Sequence, residues 1–470
     1  MTDVSINIKN SRDTSMDNIQ FPKNFVFGAA TAALQIEGSV DADGKGKSTW
    51  DDFSHRKGAI RKGHIPDTAC DHYRRYPEDI ALMKDMGLDA YRFSVSWPRI
   101  YPDGEGSINQ KGLDFYSRLV DNLLEAGIDP FVTLFHWDLP LALQKKYKGF
   151  QNRKVAHLFA DYTETVVKHL GDRVKNWITI NEPWEFSAMG HLLGEHAPGI
   201  KSPWAFFKAI HHVHLAHGLG IERIRALSPD AKAGITISMT PVHPISDSEK
   251  DHWSAKIANE FMNHISLGPL YKKEYPELLF SRMRLCTPKI EEGDMEIIAA
   301  PTDFIGLNNY QREFAMYKWY IPFFNTWITG SETAEHEFIR DGVQHTSMGW
   351  EVYPPCIYEC LKIIQGEYGN PPVYITENGA AFDDVLENGK VNDTKRIDYL
   401  RDYLEMVNRA RLDGADVRGY FVWSLMDNFE WAVGFDKRFG LIHVDYESQK
   451  RTIKESGNWY RDFIQKQKNS

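Results

Sequence analysis

Two glutamates, Glu182 and Glu377, each close a run rich in β-branched and aromatic residues: Trp177-Ile178-Thr179-Ile180-Asn181-Glu182-Pro183 and Pro372-Val373-Tyr374-Ile375-Thr376-Glu377-Asn378-Gly379. Runs of this kind read as buried strands, and Pro183 and Gly379 stop them, so each carboxyl falls at a strand's C-terminal end. A pair of carboxylates can divide proton transfer from nucleophilic attack if the fold brings the two together. A lone glutamate at a strand end is more often half of a structural ion pair; two in matched settings shift that balance.

The elements that must bring them together alternate along the chain. Apolar strand patterns fall at residues 25–30, 90–97, 130–137, 174–182, 233–239, 303–310, 372–377 and 417–424. Helical spacing falls between them at 77–87, 109–127, 153–171, 203–227, 254–265, 355–368 and 393–411, with a closing helix at 457–466. Eight strands alternating with helices predict an α/β fold, a single (β/α)8 TIM barrel with long βα loops. In such a barrel every strand's C-terminal end opens on one face, so Glu182 on the fourth strand and Glu377 on the seventh converge. Residues 1–20 read as a flexible polar tail and residues 21–470 as one catalytic domain. Residues 40–67 read as a long surface loop, and 314–350, rich in aromatics and without a period, as a segment shaping the entrance to a site.

The same face collects Gln35, Arg92, His136, Asn181, Asn308, Tyr310 and Glu430, together with Trp137, Trp423 and Trp431. Carboxylates, amides, a histidine and indole faces suit a sugar, which offers hydroxyls at its rim and apolar C–H faces. Two opposed carboxylates can cleave a glycosidic bond, one protonating the leaving oxygen while the other attacks the anomeric carbon or activates water. Arg92 and Tyr310, placed beside Glu377, would keep it ionised; Glu182, in the field of that anion, would hold its proton more tightly.

The chain resembles glycoside hydrolase family 1, the β-glucosidase and β-galactosidase family, from about residue 21 to 463. The resemblance is carried by Phe27-Gly28-Ala29-Ala30-Thr31-Ala32-Ala33-Leu34-Gln35-Ile36-Glu37-Gly38, Tyr91-Arg92-Phe93-Ser94, His136-Trp137-Asp138, Thr179-Ile180-Asn181-Glu182-Pro183, Ile375-Thr376-Glu377-Asn378-Gly379 and Asn428-Phe429-Glu430-Trp431. It implies a retaining β-glycosidase acting on terminal β-glucosyl, and also galactosyl or fucosyl, residues of a small β-glucoside or oligosaccharide. Glu377 would be the nucleophile and Glu182 the acid and then the base, with the carboxyls about 5–5.5 Å apart. It also implies sugar contacts from Gln35, His136, Asn181, Trp423, Glu430 and Trp431, and leaving-group walls at Trp184 and Trp350. Glu430 would repel the phosphate that the phospho-sugar branch of the family accepts at this place. Leu34, Leu141, Phe150 and Asn309 depart from the family's usual residues. The same site could run as a transglycosylase if an acceptor outcompetes water. A non-catalytic sugar-binding module would have lost one glutamate, and both are present.

The remaining signals narrow the setting. A formal charge of −10 argues against non-specific nucleic-acid binding, and no segment is an uncharged membrane span. The polar start of the chain and four cysteines without a disulfide framework point to a cytoplasmic protein. The histidines at 211, 212, 214 and 217 lack the carboxylate or cysteine that would complete a metal motif, so neither metal nor cofactor is expected. Nothing in the sequence fixes the oligomeric state.

Overall fold

The structure, a computed structural model, describes residues 19–329 and 342–469. Its centre is a ring of eight strands: β1 (Val26–Ala30), β2 (Ala90–Ser94), β3 (Asp129–Phe135), β4 (Asn176–Asn181), β5 (Lys232–Ser238), β6 (Phe304–Asn308), β7 (Val373–Asn378) and β8 (Val417–Trp423). Each pairs in parallel with the next, and β8 pairs back onto β1 to close the barrel. Outside run helices α1 (His72–Asp85), α2 (Gln110–Glu125), α3 (Lys154–Leu170), α4 (Pro203–Leu227), α5 (Glu249–Asn259), α6 (Pro355–Glu367), α7 (Thr394–Leu412) and α8 (Glu455–Asn469).

Side chains from alternate strands fill the barrel. Phe131 lies between Phe421 and Tyr374, with ring centroids 4.9 and 5.3 Å away. The lumen is therefore core, and anything bound must sit above it at the C-terminal face. Register then sets which side chains meet there: Glu377 lies beside Asn308, Asn308 beside Ser238, and Ala30 beside both Arg92 and Trp423. Gly379 is required by close approach, because a Cβ there would come within 1.7 Å of the Trp423 carbonyl oxygen.

Three expectations need correction. The first helix starts at His72, five residues before Pro77. Pro77 lies on an exposed face, where water can satisfy the carbonyl that loses its helical donor, and the first turn is pinned by a 2.7 Å contact between His72 Nδ1 and Asp79 Oδ2. Residues 40–67 are not simply a surface loop. They contain a helical turn, Thr49–Phe53, opened by a capping box in which Asp51 N–H donates to Ser48 Oγ and Ser48 N–H donates to Asp51 Oδ2. Trp50 in that turn is wholly buried. Finally, 314–350 is not without regular structure, since the strands Glu313–Tyr317 and Thr326–Ile328 pair antiparallel, though its described part does line the cavity as expected; residues 330–341 lie outside the described residues.

Residues 1–18 of the expected tail also lie outside the described residues, and the chain is docked by Ile19, which is buried and accepts a 2.8 Å hydrogen bond from Gln467 Nε2. The four cysteines are free and buried. Among the described residues no helix is long and apolar enough to cross a membrane. The α4 histidines make packing contacts. His211 bridges Asp294 and Tyr275, His212 meets the Phe150 carbonyl, His214 meets Ser266, and His217 meets Thr179.

Candidate active site

At the C-terminal face opens a cavity of about 890 Å³. His136, Trp137, Glu182, Trp184, Asn308, Tyr310, Trp350, Glu377, Trp423, Glu430 and Trp431 all line it. Gln35, Arg92 and Asn181 do not; they are wholly or almost wholly buried behind the lining and hold it in place.

Arg92 is the hinge of the arrangement. It donates from Nη1 to Glu377 Oε1 at 2.6 Å, from Nη2 to Asn181 Oδ1 at 2.6 Å, and from Nε to Thr133 Oγ1 at 3.1 Å. The second Glu377 oxygen accepts from Tyr310 OH at 2.6 Å. Glu182 is held by neutral amides: Asn308 Nδ2 donates to Oε1 at 2.9 Å and Asn181 Nδ2 to Oε2 at 3.2 Å. Asn308 is itself oriented by Thr376 Oγ1, which donates to its carbonyl at 2.7 Å. One carboxylate thus has a cation and a phenol on it, the other only amides, and Asn181 and Arg92 connect the two.

Both carboxyls are buried, Glu182 at 5% and Glu377 at 3% exposure, and burial raises both above the ordinary glutamate range. For Glu377 the Arg92 charge and the hydrogen bonds from Tyr310 and Arg92 oppose that rise. For Glu182 the Glu377 charge adds to it, so Glu182 is the member that keeps its proton. The sequence reading assigned this to the field of the anion; burial is the larger cause and the anion the second. His136 is pushed well below its usual value by burial and by Arg92, and is neutral. Because Arg92 and Asn308 both donate to Asn181 Oδ1, the amide of Asn181 turns its N–H2 toward His136 Nε2, 3.0 Å away. The imidazole proton therefore sits on Nδ1, which has no protein partner among the described residues.

Backbone strain gathers at the same place. Trp137, Glu182 and Trp431 have φ of 78°, 47° and 43°, in the left-handed region that non-glycine residues seldom adopt. Pro183 disfavours the right-handed helical region for Glu182 and starts the short helix Pro183–Ser187, which swings the carboxyl off the strand. Trp137 is held by its indole N–H, donated to the Asn181 carbonyl at 3.0 Å. Trp431 rests on Trp137 and Trp50, with centroids 4.5 and 4.7 Å away. Gln35 reaches the loop carrying Glu430 from behind, donating to the Phe429 carbonyl at 2.9 Å and Asn428 Oδ1 at 3.1 Å. Its own oxygen has no partner among the described residues. Trp350 packs on Tyr310 and Phe439 at 5.5 and 5.9 Å.

Sequence reasoning missed Trp50, Thr376, Phe439 and the pair Arg312–Glu351, in which Arg312 Nη2 donates to Glu351 Oε1 at 2.9 Å and so ties the Trp350 loop to the segment after β6. A signal existed for two of them: the Ser48/Asp51 capping-box spacing announces the Trp50 turn, and Thr376 is next to Glu377. Of the four departures, Phe150 packs among Phe135 and Phe186 away from the cavity. Asn309 lines the cavity while its amide donates to the Met239 carbonyl at 2.8 Å.

Comparison with known proteins agrees with this geometry. The family model described as Glycosyl hydrolase family 1 matches residues 17–469. A 1,4-beta-D-glucan glucohydrolase of Thermotoga neapolitana is 48% identical over 95% of this chain and 98% of its own. A bifunctional beta-D-glucosidase/beta-D-fucosidase of Bifidobacterium breve is 43% identical over 94% and 98%. The solved structure of the family 1 β-glucosidase from Thermotoga maritima superposes with a TM-score of 0.91 at 45% identity, covering 96% of this chain and 99% of that one. With the family matched along nearly its whole length and the barrel shared, this chain belongs to glycosyl hydrolase family 1.

Proposed function

We propose that in this retaining β-glycosidase Glu377 is the nucleophile and Glu182 the acid and then the base, releasing terminal β-D-glucose without a cofactor. The unequal hold on the two carboxylates carries the reading: a guanidinium and a phenol donate to Glu377, while only amides donate to Glu182. Ionised Glu377 attacks the anomeric carbon from the face opposite the leaving group as Glu182 passes its proton to the departing oxygen. The bond to that oxygen breaks and a bond to Glu377 forms. Once Glu377 is esterified its charge is gone, and with it the second cause holding Glu182 protonated, so Glu182 becomes fit to take a proton from water. That water displaces Glu377 and gives β-glucose.

In this reading His136 and Asn308 hold hydroxyls near the reacting carbon and Glu430 and Trp431 the far ones, while Asn181 and Gln35 orient these groups from behind the lining. Trp423 lies under the ring, Trp137 shapes the wall, and Trp184 and Trp350 face the leaving group. The names of the relatives support glucose first and fucose as a second sugar. The four free, buried thiols support a reducing, cytoplasmic setting. Proton NMR of the first sugar released from an aryl β-glucoside tests the stereochemistry. Initial β-glucose that later mutarotates is expected, and initial α-glucose would overturn the covalent route.

Tyr310→Phe isolates the phenol's share. Loss of one hydrogen bond to a charged oxygen removes roughly 1.5–3 kcal/mol, so kcat/KM should fall by about 10- to 150-fold. The sign of the pH effect follows from which form is stabilised. Tyr310 favours ionised Glu377, so its removal raises that carboxyl's pKa, and activity is lost at a higher pH as the solution is acidified. An unmoved acidic limb would remove Tyr310 from this role.

A further inference from the structure

Asn308 and Tyr310 each hold one of the two carboxyls, Asn308 donating to Glu182 Oε1 at 2.9 Å and Tyr310 to Glu377 Oε2 at 2.6 Å. Between them stands Asn309, 1% exposed, whose side-chain amide is directed at the elements behind the site. Its Nδ2 donates to the Met239 carbonyl after β5 at 2.8 Å and to the Gln311 carbonyl at 3.2 Å, and its Oδ1 accepts from the Cys356 thiol of α6 at 3.1 Å. Burial pushes that thiol up to about 12, so it keeps the proton it donates, and a donor on that side fixes which end of the amide is oxygen. A buried amide is costly unless its polar atoms are paired, and here the nitrogen and the oxygen both are.

The backbone of the same residue is tied to the nucleophile's strand. Asn309 N–H donates to the Glu377 carbonyl at 3.2 Å, and the Asn309 carbonyl accepts from Asn378 Nδ2 at 2.6 Å. The next carbonyl, that of Tyr310, accepts from the Tyr399 and Tyr403 hydroxyls of α7, each at 3.1 Å. Tyr310 Cα is thus anchored on both sides, and its side chain starts from a fixed direction. A hydrogen bond of 2.6 Å is gone once its atoms part by about 1 Å more, so the phenol depends on that anchoring.

We propose that Asn309 is a positioning residue for the reaction: its amide, oriented by Cys356, sets the Tyr310 phenol on Glu377. The inference rests on the nucleophile reading above and adds a residue that acts on Glu377 at one remove.

The test is a double-mutant cycle of Asn309→Leu and Tyr310→Phe, read in kcat/KM and in the acidic limb of its pH profile. Asn309→Leu keeps the side chain's size and removes its three hydrogen bonds. It should lower kcat/KM about tenfold, part of the phenol's share, and move the acidic limb to higher pH, the direction expected for Tyr310→Phe. In the Tyr310→Phe background the same substitution should lower it by about twofold at most and leave the limb in place, because no phenol is left to misplace. A merely structural role would remove the same factor in both backgrounds. Cys356→Ala should lower kcat/KM about threefold, and Cys356→Ser, which restores a donor, should not. Thermal melting confirms that each variant folds; if Asn309→Leu does not, the Cys356 pair decides. Equal losses with and without the phenol, an unmoved limb in Asn309→Leu, or no difference between Cys356→Ala and Cys356→Ser overturns the proposal while leaving Glu377 as nucleophile. An unmoved limb in Tyr310→Phe itself removes the phenol from the reading above, and this inference with it.

Discussion

Glu377→Gly is expected to lose about six orders of magnitude in kcat toward aryl β-glucosides, the scale seen when an enzyme's nucleophile is deleted. The variant has good reason to fold. Arg92, stripped of its main anionic partner, still donates to Asn181 Oδ1 and to the Thr376 carbonyl, at 2.6 and 3.1 Å. The void left at the end of β7 is open to the cavity, so small anions can enter it. Azide should then attack the anomeric carbon from the side that Glu377 used, restoring turnover and yielding α-glucosyl azide. The configuration of that product makes the test sharp. A folded variant that azide does not rescue would refute the nucleophile assignment, and a β-glucosyl azide would exchange the roles of the two glutamates.

Glu182→Ala should sort substrates by their leaving groups. Protonation of the departing oxygen contributes about 10²- to 10⁴-fold when the alcohol is a poor leaving group, and little when a dinitrophenolate leaves unaided. Alkyl β-glucosides should therefore suffer by that factor, while the first step for 2,4-dinitrophenyl β-glucoside is nearly unchanged. The second step still needs a base, so the glycosyl-enzyme should accumulate and a burst of dinitrophenolate should precede slow turnover. Azide, which needs no deprotonation, should release it as β-glucosyl azide, opposite in configuration to the product of Glu377→Gly. Equal losses for good and poor leaving groups would sink the acid assignment. Asn308 loses its Glu182 bond but keeps Asn181 Oδ1 at 3.2 Å, which limits the structural cost.

The barrel and its two glutamates were legible because each strand announces itself locally. An apolar run of strand length, stopped by proline or glycine, gives type and end together, and parallel closure then puts every such end on one face. The reason for the proline differs from that for the glycine. Pro183 works through its own neighbour's backbone, whereas Gly379 answers to a carbonyl on a strand far along the chain, which no local pattern contains. The same divide separates what was read from what was missed. Arg92 and Tyr310 were placed beside Glu377 because all three lie at or just after strand ends. Trp50 was hidden because its partner, Trp431, is brought to it only by the fold. The field of Glu377 on Glu182 was read correctly, but the larger cause of the shift, burial, was not, because burial depends on loops whose paths the sequence leaves open.

The closing pair of strands has a consequence for how the molecule comes into being. Ser424 donates to the Ala30 carbonyl across a separation of 394 residues, and Trp423 lies in register with Ala30. At 5–20 residues per second, a ribosome that has just released β1 works for roughly 20–80 s before β8, the strand that closes the barrel on it, exists. Until then the nascent sheet has two open edges, the kind that pair with whatever strand comes near. The ends of β4 and β7 that carry Glu182 and Glu377 emerge before Trp423, Glu430 and Trp431, so the cavity that these residues line together cannot form on a growing chain. Such a molecule becomes an enzyme only after its last strand is made, and its yield in a cell depends on how well those edges are sheltered meanwhile.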